Sequence, residues 1–343
     1  MPGFFGWSAL FALCAMMSAQ GDGLRLTVNP YEGVDWERAT QHKANLHTHT
    51  VASGGKLFLE QVFAEYAKQG YTILAITDHD LCTRWWKTEA RPLKDYGILP
   101  VTGQEYSRGQ HVNGFFLDYE TTEQDMDILV REITSRGGVA FLNHPGRYWK
   151  IGKDGNVPKE TCDDYVKLLD QNPLVLGIEV FNRNEKNLSD ALLWDAILRV
   201  AMPTRPVWGF SNDDMHERKQ LGHNWNIFLL DKLDEGSVRH AMIKGHFYFS
   251  AKGQEHGDAG DPPVIQAILH DPAAKTLTLA AAADGALLGE DHYLWIADGR
   301  VIHKGPVLKY GPNRDITCYV RAELTGKGGT TYTNPFGFSR DIR

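Results

Sequence analysis

The central part of the chain alternates between short apolar runs and longer segments in which apolar residues recur at helical spacing. Between about residues 43 and 250, runs such as 72–77 and 139–142 have the length and composition of buried strands. Segments such as 57–69 and 125–136 have the spacing of amphipathic helices, and each is followed by glycine. This succession of strand and helix predicts an α/β fold with a parallel sheet.

The pattern changes after about residue 250. Helical periodicity fades, and short β-like runs follow one another, separated by turn signals such as Asp298-Gly299 and Gly328-Gly329. The runs are 264–269, 276–280, 293–296 and 316–322. We therefore expect two domains, an α/β domain over residues 40–252 and a small antiparallel β-sandwich over 258–343.

The first residues of the chain are apolar and uncharged. No charged residue occurs from position 4 to 19, and the run ends near the small residues Ser18 and Ala19. It is short for a membrane-spanning helix, so we interpret residues 1–21 as a signal peptide of an exported, periplasmic or secreted protein. A buried or membrane-anchoring first helix is the alternative. After signal cleavage no stable membrane span is expected.

The net charge and the cysteine content limit the kinds of partner and metal site that are expected. The formal net charge is −7 over 343 residues, which gives no general attraction to nucleic acid or to an anionic membrane. An anionic substrate would need local positive charge, which bound metal could supply. Beyond the predicted signal peptide, which contains Cys14, the cysteines are Cys82, Cys162 and Cys318. They form neither a disulfide framework nor a zinc-thiolate pattern, because their number is odd and their spacing wide.

Polar residues with metal-binding chemistry follow several of the predicted strands. They are His47 and His49, Asp78 and His79, Glu105, His144, Asn182, and Asp214 and His216. In a barrel of parallel strands the carboxyl ends of the strands meet on one face, so residues far apart in sequence could share one pocket. The ligand types suit Zn, Mn or Fe(II).

The individual signals differ in strength. His47 and His49 alternate along a strand, so both imidazoles can reach one ion, although a single such pair also arises by coincidence. Glu105 could bridge two cations. His111 could be a ligand or a histidine at a strand edge, and Asp80 could cap a helix in a solvated loop.

Five segments resemble, in order and spacing, the motifs of the PHP (polymerase and histidinol phosphatase) superfamily. They are NLHTHT at 45–50, ITDHD at 76–80, GQE at 103–105, NHP at 143–145 and DMH at 214–216. The last segments, YVRAE at 319–323 and TNP at 333–335, are similar to the end of exported members that carry a β-sandwich. The resemblance implies a distorted (β/α)7 TIM-like barrel with metals at the carboxyl ends of its strands.

The resemblance also implies two or three divalent ions and their ligands. The first ion would be held by His47, His49, Glu105 and Asp214; Glu105 would bridge to a second held by His111 and His144; His79 and His216 would belong to a third. Where the family usually has Ser-Asp-Gly (or a histidine), this chain has Ser53-Gly54-Gly55, and Gly54 has no side chain to coordinate with. We expect a complete first pair and a weak or absent third ion, unless water, substrate or Asp80 completes it.

The function implied is a metal-dependent hydrolase, first of all a phosphoesterase acting on a small anionic substrate. A metal-bound hydroxide would attack phosphorus or a carbonyl carbon, and Asp214, or His79 and His216 if they bind no metal, would move a proton. The alternatives are hydrolysis of an amide, carbamate or carboxylic ester, and a non-catalytic metal- or carbohydrate-binding protein, which only Gly54 favours. Arg147, Arg183 and Arg218 lie near the motifs and could bind an anion, but each taken alone is better interpreted as a surface residue.

Overall fold

The computed structural model describes residues 23–85, 93–183, 188–252 and 260–340. The signal peptide predicted for residues 1–21 lies outside these ranges. Within them, no helix combines the length and the apolar character that crossing a membrane requires.

The first two-thirds of the described chain form a mixed α/β region. An initial strand, β1 (Leu24–Val28), precedes eight further strands and five helices. The strands are β2 (Thr40–Asn45), β3 (Ile73–Ile76), β4 (Leu99–Tyr106), β5 (Val112–Phe115), β6 (Val139–Leu142), β7 (Val175–Asn182), β8 (Trp208–Asn212) and β9 (Asn224–Leu230). The helices are α1 (Leu59–Lys68), α2 (Met126–Ser135), α3 (Lys159–Gln171), α4 (Leu188–Ala201) and α5 (Glu235–Lys244).

The strands of this region are not all parallel, which differs from the prediction. β2, β3 and β4 pair in parallel, as do β6, β7 and β8. β5 lies between β4 and β6 and is antiparallel to both, and β9 is antiparallel to β2. A parallel pair needs a crossover of about a dozen residues or more. The link 107–111 between β4 and β5 is shorter than that, so it forces an antiparallel return.

The sheet is open between β8 and β9, so the α/β class is confirmed whereas a closed barrel is not. Among the described strands, no backbone ladder joins these two. The side chain of Asn226 on β9 connects them instead: it accepts a hydrogen bond from the Ser211 amide (3.2 Å) and donates one to the Ser211 carbonyl (2.9 Å). The Asn226 side chain thus makes the two hydrogen bonds with the Ser211 backbone that a paired neighbouring strand would make in a closed barrel.

The C-terminal region consists of short antiparallel strands. They are β10 (Phe247–Ala251), β11 (Val264–Asp271), β12 (Thr276–Ala283), β13 (Ala286–Leu287), β14 (Tyr293–Ala297), β15 (Arg300–Lys304), β16 (Val307–Lys309), β17 (Tyr319–Gly326), β18 (Gly329–Thr333) and β19 (Phe336–Arg340). β11, β12, β13 and β16 form a separate sheet. β18 pairs with β10, which pairs with β9, so the other sheet continues from the α/β region. The domain division predicted between residues 252 and 258 stays a prediction.

Apolar side chains of the two C-terminal sheets pack against each other. Ile265 and Leu277 from the separate sheet share a buried cluster with Trp295 and Phe336 from the continuous one. β1 pairs antiparallel with β19, so the beginning and the end of the described chain lie side by side. The motif residues lie at the ends of β2, β3, β4, β6 and β8.

Candidate metal centre

Four buried ligand atoms from three strand ends converge on one point. His47 Nε2 lies 3.2 Å from Glu105 Oε2 and 3.4 Å from Asp214 Oδ1. His49 Nε2 lies 3.2 Å and 3.1 Å from the same two oxygens. None of the four atoms makes a hydrogen bond of ordinary geometry to any described residue.

This arrangement fits a divalent cation. Four ligands about 2.0–2.1 Å from a tetrahedral ion lie about 3.3 Å apart, which matches the measured separations. Buried imidazole nitrogens and carboxylate oxygens without partners are costly, because they have lost their water and gained nothing in return. A cation at the centre of the four atoms removes that cost.

A second group of ligand atoms meets the other oxygen of Glu105. His111 Nδ1 lies 2.9 Å from Glu105 Oε1, and His144 Nε2 lies 3.3 Å from it. Asn143 Nδ2 donates a hydrogen bond to the same oxygen at 2.8 Å, which fixes the plane of the carboxylate. Glu105 therefore presents one oxygen to each group, the geometry of a carboxylate shared by two ions. The sequence left His111 open between a metal ligand and a histidine at a strand edge, and the structure places it among the ligand atoms.

The third group consists of the histidines His49, His79 and His216 and has no carboxylate of its own. The imidazole of His49 lies against those of His216 and His79, with ring centroids 4.1 Å and 4.4 Å away. Gly54 borders this group, since a Cβ added to it would lie 3.9 Å from His216 Cδ2. Asp80 does not complete it, because its carboxylate accepts hydrogen bonds from the amide and hydroxyl of Ser107.

Tight backbone turns aim several of these side chains. His144, Asp214 and Asp80 have φ values of 30°, 44° and 54°, in the left-handed region that non-glycine residues seldom occupy. Such strain persists where surrounding structure holds it in place. Beside Asp214, the buried Asp213 carboxylate accepts hydrogen bonds from the amides of residues 222, 223 and 224 at 2.8, 2.9 and 3.0 Å.

The charges of the centre are strongly coupled. Burial raises the pKa of Glu105, but His47, His111 and His144 outweigh it and hold that pKa well below its usual range. Burial lowers the pKa of His47, yet Asp214, Glu105 and Glu179 raise it well above normal. The carboxylates are thus ionised, and their negative potential favours a positive charge at the centre, such as a divalent cation.

Glu179 is a residue of the centre that the sequence reasoning missed. This fully buried carboxylate on β7 lies 3.0 Å from His47 Nδ1 and accepts hydrogen bonds from the amide of His144 and the side chains of Asn182 and Asn212. A glutamate inside the apolar run LGIEVF was the available signal. Glu179 fixes which ring nitrogen of His47 faces the first ligand group.

Two of the three arginines near the motifs reach the centre. Arg183 Nε lies 2.8 Å from Asp214 Oδ2, and a terminal nitrogen of Arg147 lies 3.8 Å from the same oxygen. Arg218 instead pairs with Glu65 and is 61% exposed, as expected of a surface arginine. The site is therefore bordered by two permanent positive charges.

Comparisons with known proteins give structural likeness only. No protein-family model matches the chain, and no curated protein is similar to it. Solved structures similar to it include a two-domain protein from Bacteroides vulgatus, described as containing a PHP-like metal-dependent phosphoesterase (18% identity, 91% of this chain and 98% of that one, TM-score 0.49). A structure from Bifidobacterium adolescentis that is described as a metal-dependent phosphoesterase has 15% identity, 59% and 96% coverage and TM-score 0.39. An amidohydrolase from Chromobacterium violaceum has 17% identity, 52% and 90% coverage and TM-score 0.40.

Proposed function

We propose that this chain is a metal-dependent hydrolase of the PHP type, and that it cleaves phosphoesters of small anionic substrates. The observation that carries the proposal is the convergence of four buried, unpartnered ligand atoms from His47, His49, Glu105 and Asp214. Buried charged groups are retained when they are paired or when they coordinate metal. Because the ligands are imidazoles and carboxylates, Zn, Mn and Fe(II) are the candidate ions.

The ligand groups are suited to two ions that share one carboxylate. His47, His49, Glu105 and Asp214 would hold the first, and His111 and His144 would hold the second together with Glu105. When bound, such ions lower the pKa of water and neutralise negative charge on the group under attack. The chain fixes the shared carboxylate through Asn143 and the His47 ring through Glu179.

Positive charge beside the centre favours an anionic substrate over a neutral ester. Arg147 and Arg183 have side chains that are 35% and 27% exposed, so each can be reached from solvent while it lies beside Asp214. Guanidinium groups bind phosphate oxygens through two parallel hydrogen bonds. This is why we place phosphoesters before amides, carbamates and carboxylic esters.

Proton transfer falls to side chains at the open edge of the centre. His79 is 31% exposed while its Nδ1 lies 2.9 Å from Glu105 Oε2, so its ring spans the distance between the buried ligands and solvent. His216 is 21% exposed; burial and the nearby His49 lower its pKa to about 4, which leaves it neutral at neutral pH. Asp214 is less suited, because its carboxylate lies between two histidines and Arg183.

We also propose that the chain is exported and that residues 1–21 are its signal peptide. The uncharged apolar run at positions 4–19 supports this. Mass spectrometry of the protein recovered from a host cell's exported fraction should give an N-terminus close to residue 22. An intact N-terminus on protein retained in the cell would contradict it.

The reaction is tested with metal-free protein reloaded with Mn²⁺ or Zn²⁺. We expect phosphate release from phosphomonoesters and slower or no cleavage of aryl carbamates and carboxylic esters. Chelation should abolish the release, and added metal should restore it. Activity confined to carbamates or carboxylic esters would contradict the phosphoesterase assignment. Stoichiometric metal binding without any hydrolysis would instead favour a binding protein.

A further inference from the structure

We propose that Arg183 takes the place of a third cation, so that the centre binds two divalent ions and receives an anionic oxygen of the substrate at the third position. The inference rests on the proposed function and names the group that recognises the substrate's phosphoryl anion. It follows from the composition of the third ligand group, the position of the guanidinium and the backbone that holds it.

The third group lacks a carboxylate of its own. His49 Nε2 already faces the first group, where it lies 3.2 Å from Glu105 and 3.1 Å from Asp214. That leaves the imidazoles of His79 and His216, and the neighbouring Gly54 offers no side chain. The nearest carboxylate oxygens are Glu105 Oε2, 2.9 Å from His79 Nδ1, and Asp214 Oδ1, 3.4 Å from His216 Nδ1, and both of these oxygens already face the first group. A divalent ion here would therefore have no carboxylate of its own to offset its charge.

The Arg183 guanidinium lies where it opposes a third cation. One of its terminal nitrogens is 3.3 Å from His216 Nδ1, and its Nε is 2.8 Å from Asp214 Oδ2. Arginine stays protonated in proteins, so the positive charge is permanent. A divalent ion bound to His216 would be close to that charge and strongly repelled by it.

The backbone of Arg183 is held in a conformation that directs the side chain there. Its φ is 52°, in the left-handed region. Its amide donates a hydrogen bond to the Asn212 carbonyl at 3.2 Å, and its carbonyl accepts one from Asn224 Nδ2 at 2.5 Å. A strained residue that neighbours hold at both peptide groups is a feature of functional positions.

A guanidinium beside two bound ions creates a position for an anion. Arg183 Nε lies 2.8 Å from Asp214 Oδ2 as an ion pair without hydrogen-bond geometry, and the planar group presents N–H donors on more than one edge. A phosphoryl oxygen can accept hydrogen bonds from such an edge. In a centre with a third metal ion, that ion would contact the same oxygen directly. The side chain is partly exposed, so a substrate can reach it from solvent.

The test combines metal content with binding of inorganic phosphate. Metal-free protein is loaded with Mn²⁺, excess ion is removed, and ions per chain are counted by elemental analysis. Phosphate is then titrated calorimetrically into the wild type, Arg183→Gln, Arg183→Lys and the matched control Arg218→Gln. Arg218 carries the same charge but pairs with Glu65 on the surface.

We expect two ions per chain in all four proteins. Phosphate affinity should fall at least about tenfold in Arg183→Gln, the loss expected for a hydrogen bond to a charged group, and less in Arg183→Lys. Arg218→Gln should bind phosphate as the wild type does. Should Arg183→Gln fail to fold, Arg183→Lys still tests the geometry, because lysine keeps the charge but not the planar donors.

Two results would overturn the inference and leave the proposed function intact. One is a third ion in the wild type, and the other is phosphate affinity that neither Arg183 variant changes while two ions remain bound. Phosphoester hydrolysis by the wild type would persist in both cases. A wild-type chain that binds no ion would overturn the proposed function as well as the role of Arg183.

Discussion

Two buried clusters of charged residues in this molecule differ in how completely their atoms are paired. One joins helix α4 to strand β17: Arg321 donates hydrogen bonds to both carboxylate oxygens of Asp195 at 2.8 and 2.9 Å, and Tyr319 donates another at 2.7 Å. The other is the candidate metal centre, where four ligand atoms face one another without hydrogen-bond partners among the described residues.

The difference shows how a structural cluster can be told from a binding site. In the first, each charge has its partner within the chain, and nothing further is required. In the second, buried carboxylate and imidazole atoms lie 3.1–3.4 Å apart but form no hydrogen bond of ordinary geometry to any described residue, and a bound cation would supply the partner that each of them lacks. The two clusters should therefore respond in opposite ways to substitution, one in stability and the other in metal binding.

The largest expected effect is that of His49→Ala on activity. The variant removes one of four ligands of the first ion. Loss of a residue that only supports a ligand lowers metal affinity or activity roughly 10–100-fold, so loss of the ligand itself should lower activity further. We expect hydrolysis to fall by more than about 100-fold, with the circular dichroism spectrum unchanged. His303→Ala, on strand β15 in the C-terminal region, is the control and should retain full activity. Equal activity in the two variants would show that His49 is not a ligand of the catalytic metal.

Arg321→Met should have the opposite profile. It leaves the Asp195 carboxylate buried without its cationic partner and with only the Tyr319 hydroxyl still donating to it, and breaking a buried ion pair costs about 3–5 kcal/mol of unfolding free energy. Urea unfolding measures this loss, and elemental analysis should find the same ion content as in the wild type. A variant of unchanged stability that has lost its metal would contradict the distinction between the two clusters.

Glu179→Gln should weaken metal binding without removing a ligand. The amide keeps the size of the glutamate but cannot offer two acceptor oxygens to the His47 ring and the His144 amide. The affinity for the divalent ion should fall about 10–100-fold. The matched substitution Glu290→Gln, at an exposed position, should leave it unchanged. Metal titration by calorimetry compares them, and equal affinities would show that Glu179 has no positioning role.

Asp80→Asn should have the smallest effect. Because the Asp80 carboxylate accepts hydrogen bonds from Ser107, the substitution should cost about 1 kcal/mol of stability and no bound metal. Loss of an ion from this variant would show that Asp80 reaches the centre when metal is present.

Strand-end residues were predictable because their chemistry and their spacing coincide. His47, His49 and Glu105 each follow an apolar run, and carboxyl ends of neighbouring strands lie together in a sheet of this class. Gly54 was likewise visible as a missing ligand, and the structure places it beside His216.

Other features depend on contacts that no local pattern encodes. Glu179 looks like part of a strand interior, and only the fold shows that its carboxylate meets His47. The antiparallel direction of β5 follows from a short link rather than from its own residues. The bridge from Asn226 to Ser211 replaces a strand pairing, so sequence alone suggested closure where the sheet is open.

The most direct test of the account is anomalous X-ray diffraction from a crystal grown with Zn²⁺. We expect a strong peak about 2.0–2.1 Å from His47 Nε2, His49 Nε2, Glu105 Oε2 and Asp214 Oδ1, with a second peak beside His111 and His144. Absence of any peak among the first four atoms, in protein that is folded and exposed to saturating metal, would contradict it.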